Sequence, residues 1–442
     1  MSATEILFIG GVFAKENENE VIHQAKKGVE FSANELQLRL ISALRELAPT
    51  EVVSAPFIGH YPNRSSSPIF RGFSEPQSLC RYVRFNNLWG FRNLSRTRAL
   101  RRTVRDFVRK PGDRKLIVAF SAHDPFLSAA AYAKRLDPSV RVCAFLPDLP
   151  QYMNLELHPG VLYTLFKQLD VRLIYRHLRS ADASVVLTEP MAAMLYVADR
   201  PYAVVEGVVE RLPEPKEVQQ EPQQADRVIR IVYTGKMNLR FGIGYLLDAF
   251  ASLKGSQYRL ILCGDGDAAD RIRLCAERDW RITFTGQITP EAAATYAESA
   301  TVLVNPRPNG EAYTRYSFPS KNIDYLLSGK PVVAFVLDGM SPDYRNFLFE
   351  ARPDCDPAEA LRAAIEAAIQ ASPEEVTRRW QAFLATLQTG FLPERWRKPF
   401  CASASTERSR SCENSGSFSS TSRRKTAADW KPNSVRCAGG RR

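Results

Sequence analysis

The chain has 442 residues, 45% hydrophobic and 24% charged, with a formal net charge of +12. This length calls for more than one hydrophobic core, and the composition excludes a collagen-like fibre, a generally disordered chain and a small disulfide scaffold. There is no apolar run long enough to span a membrane, and the apolar ILFIGGVFA near the start follows an acidic segment. Neither a spanning helix nor a signal peptide is therefore expected, which points to the cytoplasm; the eight cysteines lack zinc spacing and read as reduced thiols.

The first predicted element is a strand over Glu5–Ile9 that runs into Gly10 and Gly11, where missing side chains would leave the backbone open to a ligand. A helix starting at the capping box Ser32/Glu35 then sets Leu36, Leu40, Leu44 and Leu47 on one face. Residues 91–115 carry ten Arg/Lys against Asp106 and Asp113. Within them Leu100, Val104, Phe107 and Val108 recur at helical spacing beside Arg98, Arg101, Arg102, Arg105 and Arg109. Two readings stand: a helix that lies on an anionic membrane surface, or an ordinary helix with its stripe packed inward. Nucleic acid is not an expected partner, because no reader motif accompanies the charge. Apolar runs at 116–120, 140–145 and 183–187 supply further strands, and AVVEGVV (203–209) closes the first half.

Residues 211–227, rich in Pro, Gln and Glu, read as a linker. A second strand-helix series follows: strand 228–235, helix 242–253, strand 259–264, helix 267–277, strand 282–286, helix 290–300, strand 301–306, helix 319–328, strand 331–337. Such alternation marks parallel sheets built from βαβ units. The expected fold is α/β, with two Rossmann-like domains facing a central cleft, 1–210 and 228–390. Residues 401–442 carry ten serines and nine Arg/Lys without an apolar stripe; the tail 391–442 is expected to be disordered and suits an out-of-frame reading.

The chemistry concentrates in NPRPNGEAYTRYSFPSKNIDYLLSGKPVVAF, residues 305–335. A loop that enters a helix at the carboxyl ends of parallel strands presents free backbone N–H groups, which suits a phosphorylated ligand. Arg307, Arg315 and Lys321 add positive charge there, and Asp324, one turn into the helix, would accept hydrogen bonds from sugar hydroxyls. YTGKMNLRFGIGYLLDAF (233–250) supplies Gly235, Lys236 and Arg240 ahead of another helix, where two cations would neutralise a diphosphate.

Together YTGK (233–236), FGIGYLLDAF (241–250), ILCGDGD (261–267), FTGQI (284–288) and SFPSKNIDYLLSGKPVV (317–333) resemble, in order, the donor-binding domain of family-4 retaining glycosyltransferases of the GT-B fold. The likeness covers about residues 228–340 and is nearest a subgroup with a YSFPSK loop from bacterial polysaccharide biosynthesis. It implies a nucleotide-sugar donor, a glycan or lipid-linked acceptor, and retention of anomeric configuration. It implies donor contacts from Gly235, Gly264, Gly286, Tyr316, Ser317, Phe318, Pro319, Ser320, Lys321 and Asp324. Lys236 and Arg240 would stabilise the departing diphosphate. In the first half FSAHDPF (120–126) resembles the family's strand-end histidine, so His123 is the candidate beside the reacting carbon, the alternative being a helix cap. Gly10, Gly11, Asp148, Glu189 and Glu206 are acceptor-side candidates; His23, His60, His158 and His177 show no partner pattern.

One departure from the family is plain. Of its two glutamates separated by seven residues, the second place holds Asp324, but the first falls on Tyr316, and Glu311 lies too far upstream. The backbone N–H groups of Phe318 and Ser320 are candidates for the donor sugar's outer hydroxyls. Asp265/Asp267 and Asp354/Asp356 form Asp-x-Asp strings, yet neither lies where a metal-bridged diphosphate would sit, so no metal and no other cofactor is expected. The rival readings are a nucleotide-sugar 2-epimerase of the same architecture and an inactive relative.

Overall fold

Apolar runs that are buried on both faces make parallel strands, and the chain uses two sets of them. The computed structural model describes residues 4–25, 31–75, 80–153, 161–209, 212–213, 228–352 and 354–390. The expected linker, apart from residues 212 and 213, and the expected tail lie outside the described residues, as does His158. All described residues fall in one compact unit.

The first set comprises β1 (Thr4–Gly10), β2 (Thr50–Ser54), β3 (Ile69–Phe70), β4 (Ser74–Glu75), β5 (Cys80–Tyr82), β6 (Phe85–Asn86), β7 (Arg114–Phe120), β8 (Arg141–Leu146), β9 (Ala183–Val186) and β10 (Tyr202–Val204). Its helices are α1 (Glu18–Gln24), α2 (Phe31–Leu47), α3 (Arg92–Arg109), α4 (Asp124–Leu136), α5 (Val161–Leu178) and α6 (Glu189–Met194). Eight strands form one sheet in the order β10-β9-β8-β7-β1-β2-β5-β4, and β3 pairs with β6 apart from it. Within the large sheet only β4–β5 is antiparallel. The chain leaves β1 first to one side and later to the other, so the topological switch lies between β1 and β7, where a doubly wound sheet opens a crevice at its carboxyl edge.

The second set is β11 (Ile229–Thr234), β12 (Tyr258–Cys263), β13 (Ile282–Gly286), β14 (Val302–Asn305), β15 (Val332–Ala334) and β16 (Phe349–Glu350), with α7 (Ile243–Ser252), α8 (Ala269–Arg278), α9 (Pro290–Glu298), α10 (Lys321–Leu327), α11 (Pro357–Gln370) and α12 (Pro373–Gly390). Its six strands are ordered β13-β12-β11-β14-β15-β16 and are all parallel. Here the switch falls between β11 and β14, the strands that feed the YTGK and NPRPNG loops.

Several expectations change on folding. The helix expected to begin at the Ser32 cap already includes Phe31, and its buried face is Asn34, Gln37, Leu40, Ile41 and Leu44, while Leu47 is exposed. Strand β2 escaped notice because TEVVS is short and begins with two polar residues. The strand expected over 331–337 is only three residues long, because its outer neighbour β16 pairs with just Val333 and Ala334. The stripe of α3 is settled inward: Leu100, Val104, Phe107 and Val108 are all buried in the core. That stripe is therefore not a lipid-facing surface, since its apolar area is already removed from water by the sheet and α4.

Candidate active site

At the end of β11, Gly235 donates its N–H to Cys263 O at 2.8 Å, and Gly264, at the end of β12, donates to Gly286 O at 2.8 Å. The three predicted glycines thus lace the strand ends together. A Cβ on Gly264 would lie 1.8 Å from Gly235 O, so the two loops approach closer than any side chain permits. Lys236 is exposed on this rim, and its carbonyl accepts a hydrogen bond from Tyr233 OH at 3.0 Å. Asp267 accepts from Leu239 N at 2.7 Å, and Asp356 caps α11 through Ala358 N and Glu359 N. One carboxylate of each Asp-x-Asp string is therefore engaged in local structure.

Arg240 and Arg307 converge. The Arg240 guanidinium lies 4.8 Å from the Tyr313 ring centroid and 3.3 Å from a Glu311 oxygen. Arg307 covers Phe241 at 4.0 Å and donates to Ser317 Oγ at 3.0 Å. Burial lowers the Arg307 pKa, opposed by Tyr313, Tyr233 and Asp148 and reinforced by Arg240. Two cations held together mainly on aromatic faces keep hydrogen-bonding capacity for an anion. Glu311, dismissed on spacing, enters the site as the counter-charge of Arg240.

The donor loop is held from below. Tyr325 accepts from Thr234 N at 2.8 Å, and Asn305 donates to Asn322 at 2.7 Å in the core; these bonds fasten α10 to the ends of β11 and β14. Burial raises the Tyr325 pKa, so the group stays a neutral phenol. Lys321 opens α10. Burial pulls its pKa down, while Asp324 and Glu35 raise it and Arg39 lowers it. Phe318 is buried against Tyr344, ring centroids 5.4 Å apart, which places Pro319 and Ser320 at the start of the helix. Tyr316, in the place of the missing glutamate, stacks on Tyr152 of the first half at 6.1 Å. Arg315 is exposed, and its carbonyl packs beside Gly339.

In the first half His123 follows β7 and occupies the N-cap position of α4 with extended backbone; its carbonyl accepts from Phe126 N and Leu127 N, and its side chain makes no cap hydrogen bond. Its ring sits against Phe57 at 5.8 Å and Phe126 at 5.0 Å, and its Nδ1 is buried with no partner among the described residues. Burial, then Arg96, Arg92 and Lys167, hold its pKa well below the ordinary value. The imidazole is consequently neutral near pH 7. Ser121, two residues before, takes φ 78°, a left-handed backbone that a non-glycine residue adopts at a cost.

Gly10 and Gly11 are packing sites. Their Cβ positions would meet Gln37 Oε1 at 2.3 Å and the Phe57 ring at 2.5 Å, and Gly11 N–H already donates to Gln37 at 2.8 Å. Close packing against α2 and Phe57 demands glycine there. Glu189 is exposed and accepts from Tyr202 OH. His177, with no expected partner, bonds Asp124 at 2.8 Å.

Contacts between the halves join the two candidate sets. Tyr344 OH donates to Glu206 at 2.9 Å, Arg39 donates to Asp324 at 2.8 Å, Lys15 pairs with Glu291, and Asp148 is electrostatically coupled to Arg307. Arg39, Tyr325 and Tyr344 escaped sequence reasoning. Arg39 and Tyr344 meet partners more than a hundred positions away, and Tyr325 reads locally as a core aromatic.

Two mainly parallel sheets with switch points define the GT-B class of α/β fold. Solved structures of that class superpose over nearly the whole described chain. The Anabaena Alr3699/HepE structure in complex with UDP and glucose covers 90% of this chain and 99% of its own, at 15% identity and TM-score 0.56. The lipopolysaccharide outer core galactosyltransferase WaaB in its apo form covers 90% and 99% at 12% identity and TM-score 0.54. The α,α-trehalose 6-phosphate synthase from Burkholderia multivorans covers 93% and 100% at 12% identity and TM-score 0.55. Comparison with curated protein sequences gives no match. Residues 228–370, which hold Arg240, Arg307 and α10, match the family model of glycosyl transferases group 1. The chain thus has the fold of GT-B glycosyltransferases, and its second half is similar to group 1 glycosyl transferases.

Proposed function

We propose that the chain moves a hexosyl unit from a nucleoside diphosphate sugar to a glycan or lipid-linked saccharide, with retention, in exopolysaccharide, capsule or cell-envelope glycan synthesis on the cytoplasmic side. The observation that carries the reading is the pairing of Arg240 with Arg307 over Tyr313 and Phe241, within the residues similar to group 1 glycosyl transferases. Charge develops on the diphosphate as the glycosidic bond breaks, so cations aimed there stabilise the transition state more than the ground state. Lys236, and Lys321 at the head of α10, add to this charge. Asp324 would take the ribose hydroxyls. Neutral His123 would bond a donor-sugar hydroxyl without adding a charge beside the reacting carbon. No metal is invoked, because cationic side chains do the neutralising.

The reading gains support from HepE, which was solved with UDP and glucose bound. A panel of nucleoside diphosphate sugars, screened by shift in melting temperature, finds the donor. Incubation of that donor with glycan and lipid-linked acceptors should then release nucleoside diphosphate and yield a product with the donor's anomeric configuration. A panel that produces no shift, or a donor converted to its epimer without transfer, would overturn the proposal.

A further inference from the structure

The apolar stripe of α3 is buried, yet a different apolar surface remains in water. Trp89, Phe91 and Leu94 at the start of α3, and Leu165, Phe166 and Leu169 on α5, are each half or more exposed. The two groups touch, since the Trp89 and Phe166 rings meet edge to face at 5.2 Å. Large side chains clustered in this way, as opposed to scattered singly, mark a surface that something covers.

The place of the patch is determined by one buried and two half-buried cations, Arg96, Arg92 and Lys167. Arg92 donates to Ile58 O at 3.1 Å and Arg96 to Pro56 O at 2.6 Å. That loop leaves the carboxyl end of β2 and carries Phe57 against His123. Lys167 donates to Met153 O at 2.7 Å, in the loop that leaves β8. Both helices are therefore pinned at the same edge of the sheet as His123, and the apolar patch rims that edge.

Charge beyond the patch is mainly positive, with Asp106 as its exposed acid. On α3 the exposed face continues from Phe91 and Leu94 to Arg98, Arg102 and Arg109, and on α5 from Leu165 and Leu169 to Arg172 and Arg176. Leu94 and Arg98 differ by about 6 Å along the helix. This spacing suits apolar tips inserted to the acyl boundary with guanidinium groups at phosphate depth. A protein partner or a second copy would need carboxylates to meet these arginines, and the two exposed faces offer only Asp106 for self-pairing. No helix among the described residues is long and apolar enough to cross a membrane, so the contact is peripheral.

We infer that the tips of α3 and α5 dock on an anionic lipid surface and so present a lipid-linked acceptor to the His123 edge. Delivery of the acceptor rests on the function proposed above; the membrane contact does not.

The test is flotation of the full chain with vesicles of phosphatidylcholine alone and of phosphatidylcholine with phosphatidylglycerol. Expected is binding to the anionic vesicles, weakened by salt, and at least about tenfold less binding to the neutral ones. The pairs Phe91→Ser/Leu94→Ser and Arg98→Glu/Arg102→Glu should each reduce binding by about tenfold or more while melting temperature and its shift by nucleoside diphosphate stay as in the parent. Absence of binding to anionic vesicles overturns the inference. So does binding that neither pair weakens, which would place the contact elsewhere in the chain, or a dimer in vesicle-free sedimentation that Phe91→Ser/Leu94→Ser dissolves. Transfer to a water-soluble acceptor is read separately, so failure of docking leaves the proposed activity standing, and failure of transfer leaves docking standing.

Discussion

Arg39, in the third turn of α2, donates to the Asp324 carboxylate at 2.8 Å, so a residue of the first half holds the acidic side chain proposed to receive the donor's ribose. Glu35, one turn earlier on α2, is coupled to Lys321, one turn before Asp324 on α10. Two helices thus face each other with complementary charge across the halves. A ribose that takes Asp324 must displace or share Arg39.

Because the pair is about one-third exposed on each side, breaking it costs at most about 1 kcal/mol. Arg39→Ala should therefore tighten nucleoside diphosphate binding by no more than about fivefold. Asp324→Ala should weaken it by about tenfold or more, through loss of charge-assisted hydrogen bonds. Titration calorimetry of both variants checks the pair; equal affinities in parent and Asp324→Ala would remove Asp324 from the donor site.

Arg240→Ala should lower kcat by about a hundredfold with a smaller change in KM, as expected when an interaction strengthens in the transition state. Lys236→Ala should show a severe loss of the same kind. Glu311→Gln, which releases Arg240 from its counter-charge, should not reproduce that loss. Initial rates of nucleoside diphosphate release discriminate these outcomes; a near-parental rate for Arg240→Ala would count against its role.

His123 gives a pH signature. Its pKa in the fold lies well below the 6.5 of the free group, so the unfolded chain takes up the proton first. The stability linked to a neutral His123 is complete above about pH 6.5 and is lost as pH falls below that value toward the folded pKa. Melting temperature should drop less steeply between about pH 7 and 5 in His123→Gln than in the parent. Parallel curves would show that the imidazole does not titrate differently on unfolding.

Gly242 tests the scaffold apart from the chemistry. It takes φ +84°, and a Cβ there would lie 1.9 Å from Pro306 O, so the turn that leads into α7 and the loop after β14 touch through backbone. Gly242→Ala should destabilise the chain by about 2–4 kcal/mol, read as a lower melting temperature. A neutral effect would mean that the two loops separate freely.

The metal-free proposal predicts that EDTA leaves the transfer rate unchanged. Loss of turnover restored by manganese would reverse it.

Much of the second half was readable in the chain itself. Strands β11 to β14 and helices α7 to α10 lie within a few residues of their expected bounds, because each apolar run is dictated by burial on both faces of a parallel sheet. The glycines of the YTGK and GDG loops were readable for a similar reason: backbone approach excludes every other residue. What the linear pattern misread was what a residue meets. Gly10 and Gly11 look like a ligand loop, and their missing side chains also make room for Gln37 and Phe57, since absence of a side chain does not say what fills the space.

The amino-acid order by itself determined the alternation of strands and helices, the α/β class and the position of the basic donor loops, because period and composition are local properties. Tertiary structure alone decided that the α3 stripe faces the core while Trp89 and Phe166 face water, that Glu311 neutralises Arg240, and that Arg39 and Tyr344 reach across to Asp324 and Glu206. Those outcomes depend on contacts between residues far apart in the chain, and helical or strand periodicity carries no record of which distant surface a side chain will meet.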